Sequence, residues 1–227
     1  KRGCGLAAVT SGGTLGARAE ASGWPTVIMP GGNPPRSQFG RSFLGLCSLM
    51  NAFGLVTDDA WEEINTGVKN LDAKSVAERG ESLALAVEGK KIYLYADTPM
   101  RGLLTRWRQQ LNENSKLLAN VEVFPEMNHN ELVGWETGDE QCVAVLVRTP
   151  DDHPRTSLRM DITAEVFQEQ GADVVVVEPD GENPWARLLD AVWVGDWMSL
   201  VLAERGGFDP VDIRFIDHLK NTLAQHA

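Results

Sequence analysis

Short apolar runs, each long enough for a single strand, alternate with longer amphipathic stretches, and this alternation constrains the fold more than any other feature. Residues 6–10, 25–29, 91–95, 121–124, 142–148 and 172–178 read as strands. Between and beyond them, residues 15–22, 36–55, 100–111, 158–170, 184–205 and 210–225 read as helices, and 58–87 as charged helical text. Repetition of strand and helix is the pattern of a parallel sheet with crossover helices, so the fold class is α/β. The Val-rich runs 142–148 and 172–178 lack polar alternation, which predicts burial on both faces. Asp209 followed by Pro210 is a residue pair suited to a helix start, and places the last helix at 210–225. The chain reads as two consecutive α/β units, 1–78 and 79–227. Because the first opens on a strand within a few residues of Lys1, it is expected to be incomplete, with part of it lying upstream.

Composition excludes several function classes. The 227 residues carry 21 Lys+Arg against 32 Asp+Glu, and 21 − 32 leaves a formal charge of −11. Such a surface repels nucleic acid and anionic membranes, so neither is an expected partner. The three cysteines, Cys4, Cys47 and Cys142, are too scattered for a disulfide framework or a zinc cluster, which points to a reducing compartment. With no run of roughly 18 apolar residues and no signal-peptide pattern at the start, a soluble cytoplasmic location is expected.

Five polar groupings could carry chemistry. Ser11-Gly12-Gly13-Thr14 lies between a strand and a helix, where backbone N–H groups can cradle an anion; a plain βα turn would use the same residues. Asn33-Pro34-Pro35-Arg36 is a stiff turn that delivers one guanidinium, suited to a phosphate or an enolate-like oxyanion, or simply to solvent. In Asn112-Glu113-Asn114-Ser115-Lys116 a carboxylate is bracketed by amides that could orient it as a general base, or the segment could be a self-capping helix end. Glu126-Met127-Asn128-His129-Asn130-Glu131 places one of only four histidines in a dense polar group, and an imidazole moves protons both ways near neutrality. No second His or Cys stands at ligand spacing, so metal binding is not expected. Lys220 lies in the last helix, where a lone lysine ordinarily complements the helix dipole, while His153 and His218 read as structural or solvated.

Taken together, these residues resemble the bifunctional phosphoglucose/phosphomannose isomerases, a branch of the sugar isomerase (SIS) domain superfamily. The resemblance rests on residues 106–116 and 124–136, which hold the Asn-Glu-Asn-x-Lys and Glu-x-Asn-His-Asn-Glu pair. It is extended by Val9-Thr10-Ser11-Gly12-Gly13, Pro34-Pro35-Arg36, Gly195-Asp196-Trp197, Asp209-Pro210 and Leu219-Lys220, in order along nearly the whole chain. It implies two SIS-type domains, each a parallel sheet flanked by helices, and a homodimer without cofactor or metal. The implied activity interconverts glucose 6-phosphate or mannose 6-phosphate with fructose 6-phosphate through a cis-enediol. Glu113 matches the base that shuttles the proton between C2 and C1. His129 matches the ring-opening histidine, which reaches the site from the partner subunit. Arg36 matches the arginine that stabilises the enediolate, and Lys220 the lysine near the ring oxygen. The family's main phosphate loop would fall before Lys1, which leaves Ser11 and Gly12 a supporting role in substrate binding. The hydroxyl residue expected shortly before the final lysine is absent, since Val211-Asp212-Ile213-Arg214 occupies that region. Two rivals to an isomerase stand beside it: a non-catalytic SIS protein that binds a phosphosugar, and a structural dimer without ligand.

Overall fold

Every described strand runs parallel to its neighbours, as short apolar strands joined by helical crossovers require. The structure is a computed structural model describing residues 3–226. The chain divides into two units, Lys1–Thr66 and Gly67–Ala227.

In the first unit β1 (Ala8–Thr10) pairs with β2 (Thr26–Ile28), with Val9 opposite Val27. Helix α1 (Gly13–Ala21) connects them. A 3-10 turn at Pro35–Gln38 leads into α2 (Phe39–Ala52), so the helix expected from residue 36 begins three residues later. Pro34, which precedes a proline, is extended at ψ 132°, so helical backbone starts no earlier than Pro35 and its first turn is 3-10. Helix α2 lies close against the strands, since a Cβ at Gly45 would meet Val27 Cγ1 at 3.0 Å and Val9 Cγ1 at 3.5 Å. Helix α3 (Asp58–Lys69) carries the boundary between the units.

The second unit holds a four-stranded sheet in the order β4-β3-β5-β6. Its strands are β3 (Lys91–Asp97), β4 (Ala119–Phe124), β5 (Cys142–Val147) and β6 (Asp173–Val177). Five further helices are α4 (Ala73–Val87), α5 (Arg101–Gln110), the single turn α6 (Glu131–Gly134), α7 (Pro154–Glu169) and α8 (Pro184–Arg205). A last one, α9, spans Arg214–Ala224. Asp72 caps α4, accepting from Lys74 N and Ser75 N at 2.9 and 3.1 Å, and so divides the charged 58–87 stretch in two.

Alternation along β3 and β5 sorts the core by face. Tyr95, Ala144 and Leu146 join Phe124, Met127, Trp135, Met160 and Phe167 in one buried cluster, to which α7 contributes Met160 and Phe167. The Trp135 and Phe167 rings lie 4.1 Å apart, centroid to centroid. On the helical side α8 packs against both α4 and α5. All six residues of β5 are buried, as its Val-rich text predicts. The same prediction fails for β6, which is an edge strand with Val176 48% exposed. No described helix is long and apolar enough to cross a membrane.

The terminal helix also departs from expectation. Asp209 Oδ1 accepts from Val211 N at 2.8 Å and Asp212 Oδ1 from Arg214 N at 2.9 Å. Two successive side-chain turns therefore occupy 209–213, and α9 starts only at Arg214.

Candidate active site

Helix α5 ends by widening. Residues Leu111–Ser115 form a π-helical turn, and Lys116 closes it in the left-handed region at φ 59°, ψ 27°. Leu111, Asn114 and Ser115 are buried and anchor the turn from below. Asn114 Nδ2 donates to Ser199 Oγ at 2.9 Å and Ser115 Oγ to Ser199 O at 2.6 Å, fastening the turn to α8. On the other side Lys116 Nζ donates to the carbonyls of Glu113 at 2.6 Å, Asp209 at 3.0 Å and Asp212 at 2.8 Å. Glu113 is the half-buried residue between these fastenings. It lines an open cleft of about 400 Å³ with Lys116, Phe208, Asp212, Arg214 and Phe215.

The flanking amides are engaged with the fold itself. The Asn112 amide nitrogen, in the orientation that satisfies its surroundings, donates to Leu117 O at 2.7 Å and Arg108 O at 3.1 Å. The Asn114 amide nitrogen is committed to Ser199. Both amides therefore shape the backbone that carries Glu113.

His129 lies elsewhere. It ends a 3-10 turn, Glu126–His129, which follows β4. Glu113 comes before β4, with residues 114–118 between, and His129 after it, with residues 125–128 between, while the six-residue strand itself spans about 17 Å. Within one chain the two residues therefore lie towards opposite ends of β4. The polar grouping around His129 is itself divided. Asn128 Nδ2 donates to Thr163 Oγ1 at 2.8 Å, and Glu131 Oε1 accepts from Tyr95 OH at 2.6 Å, while His129 and Asn130 are exposed. Trp135 Nε1 donates to the same Tyr95 oxygen at 3.0 Å. Burial first, and then the Glu131 carboxylate, push the Tyr95 phenol far above its ordinary value, so it stays a donor.

Lys220 is exposed on α9, beyond the part of that helix which lines the cleft. Ser11, Gly12 and Arg36 belong to the first unit, on the loops that leave β1 and β2. Thr10 Oγ1 donates to Gly12 O at 3.0 Å and accepts from Gly12 N at 3.2 Å, holding a turn in which Gly12 and Gly13 have φ 119° and 64°. Gln38 Nε2 donates to Pro30 O at 2.9 Å, and a Cβ at Gly31 would lie 3.9 Å from Ser11 O, so the Ser11 and Arg36 loops are neighbours at one sheet edge. The chain thus brings Ser11, Gly12 and Arg36 to one edge and Glu113 to the cleft beside α9. The sequence motif includes Lys116 without giving it a task, and nothing in the sequence marks Ser199 or Asp212 as partners of this turn.

Residues 77–223 match the family model described as the bacterial phospho-glucose isomerase C-terminal SIS domain. The bifunctional phosphoglucose/phosphomannose isomerase of Aquifex aeolicus is 33% identical over 221 residues, covering 96% of this chain and 68% of its own length. That of Caldicellulosiruptor bescii is 33% identical over 239 residues, covering 99% of this chain and 70% of its own. Among solved structures, a glucose-6-phosphate isomerase like protein from Thermus thermophilus has a similar fold, with a TM-score of 0.62 at 18% identity over 94% of this chain and 77% of that one.

Proposed function

The chain belongs to the bifunctional phosphoglucose/phosphomannose isomerase family, and from that premise we propose that it interconverts glucose 6-phosphate or mannose 6-phosphate with fructose 6-phosphate. In this reading residues 1–78 belong to one SIS-type domain and residues 79–227 to a second. The observation that carries the proposal is the Glu113 turn. A carboxylate is held on a backbone fastened from two sides and lines a cleft large enough for a hexose phosphate.

Each assigned residue has a chemical task. Glu113 removes the C2 proton of the open-chain aldose, and the electron pair left behind forms the C1–C2 double bond of a cis-enediol. The same carboxyl returns the proton to C1, giving the ketose. The Arg36 guanidinium stabilises the oxyanion of that intermediate, and Lys220 serves near the ring oxygen. His129, whose imidazole is suited to move a proton both ways, opens the sugar ring from the partner subunit of a homodimer. Its exposure and its place towards the end of β4 away from Glu113 support that division of labour. Ser11 and Gly12, next to the Arg36 loop, help to bind the substrate.

Deuterium entering C2 of glucose 6-phosphate in heavy water tests the proposal. The intact protein is expected to catalyse exchange, and Glu113→Gln to lower the rate by about 10²–10⁴-fold, the usual share of a general base. Exchange at an undiminished rate in Glu113→Gln removes Glu113 as the base. Phosphosugar binding with no exchange in the wild-type protein identifies a sensor instead.

A further inference from the structure

Among the described residues Lys116 is the one non-glycine residue with positive φ, and it stands where a helix would ordinarily place Gly or Asn. A lysine in that conformation is disfavoured, so its side chain must offer something the turn cannot obtain from glycine. The contacts show what it is. An ammonium has three N–H donors, and here all three have main-chain acceptors: Glu113 O, Asp209 O and Asp212 O. The first is a helix-terminal carbonyl left without an intrahelical partner. The other two belong to 209–213, the segment of two turns that delivers α9. A single cation therefore bridges the backbone that carries Glu113 and the backbone that launches the helix bearing Lys220. The anchors from Asn114 and Ser115 run the other way, to α8. Helix α9 has no buried residue of its own among those described, so the tie matters more there than burial does.

We propose that Lys116 is a positioning residue that locks the Glu113 turn to the start of α9, fixing the wall of the cleft against which substrate is deprotonated. The inference rests on the isomerase reading for its catalytic half, whereas the lock itself is independent of it.

Two measurements on the intact protein test it. Hydrogen exchange of backbone amides over 209–216, without substrate, reads the lock directly. Those amides are expected to exchange at least about 10-fold faster in Lys116→Met and to recover in Lys116→Arg, whose guanidinium retains several donors. Kinetics with glucose 6-phosphate read the positioning. Lys116→Met is expected to lose about 10–100-fold in kcat while KM moves less than about threefold, as when a reacting group is displaced by an ångström or so. Lys116→Gly adds a control, because glycine relieves the left-handed backbone while deleting the amine. It is expected to be as slow as Lys116→Met with a higher melting temperature. Unchanged amide exchange in Lys116→Met overturns the lock. Faster exchange with kcat unchanged, or kcat falling only in step with melting temperature across the three variants, overturns the positioning role. A wild-type protein inert towards glucose 6-phosphate overturns the isomerase reading, and amide exchange still decides for or against the lock.

Discussion

Asp196 on α8 accepts from Arg106 Nη2 at 2.6 Å and from Gln110 Nε2 at 2.9 Å, so one carboxylate holds two residues of α5, the helix that leads into the Glu113 turn. Burial raises its pKa above the ordinary aspartate value, and Arg106 and Gln110, pulling the other way, do not fully offset it. A group with a raised folded-state pKa binds its proton more readily in the folded protein than in the unfolded chain. Its contribution to stability therefore grows as pH falls from neutrality towards the ordinary aspartate value near ~3.9. Asp196→Asn removes that titration. The difference in urea midpoint between wild type and variant is expected to move in favour of wild type as pH falls from about 7 towards about 4. A difference that stays constant, or moves towards the variant, contradicts the direction given for Asp196. Residues of this kind show where reading a sequence stops. Glu113 was legible because a carboxylate between two amides at a helix end is an unusual string. Lys116 stands in the same string, yet two of its acceptors are main-chain carbonyls 93 and 96 residues away, and a carbonyl leaves no mark in a sequence.

Helix α8 owes its close approach to α5 to a missing side chain. A Cβ at Gly195 would lie 2.1 Å from Trp107 Nε1, and Trp107 is fully buried with that nitrogen donating to Ala191 O at 2.9 Å. Relieving that overlap requires the buried indole or the α8 backbone to move. Gly195→Ala is expected to lower stability by about 3 kcal/mol, combining overpacking with the loss of a buried hydrogen bond, as read by urea unfolding. A loss below about 1 kcal/mol would mean that α8 can shift on α5 without disturbing the core. The bounds of α8 were legible because local chemistry sets them: Asn183 caps the helix by accepting from Ala186 N at 2.8 Å, and Pro184 occupies the first position. Asp209-Pro210 carries the same kind of signal, but there the aspartate turns to Val211 and the helix waits for Arg214. Strand β6 was misread for a different reason. Its composition matches that of the central β5, and only the strand order shows which of the two has a neighbour on each side.

At the scale of the whole molecule, the parallel sheet itself argues for a shared site. A parallel strand carries the chain from one end of its sheet to the other, so a residue ahead of β4 and one beyond it are drawn towards opposite ends of the strand. Glu113 and His129 are such a pair. In the proposed reading His129 comes from a second chain, and a two-fold axis would then create two equivalent mixed sites. That arithmetic leads to a test by complementation. Glu113→Gln and His129→Ala, each prepared alone, are expected to be nearly inactive. After subunit exchange in equal amounts, half of the dimers should be mixed. In a mixed dimer one site inherits both defects and the other inherits neither, so about a quarter of the wild-type rate should return. Recovery near that level requires Glu113 and His129 to act across the interface. No recovery in a preparation shown to contain mixed dimers would place the imidazole and the carboxylate in the same protomer and overturn the shared site.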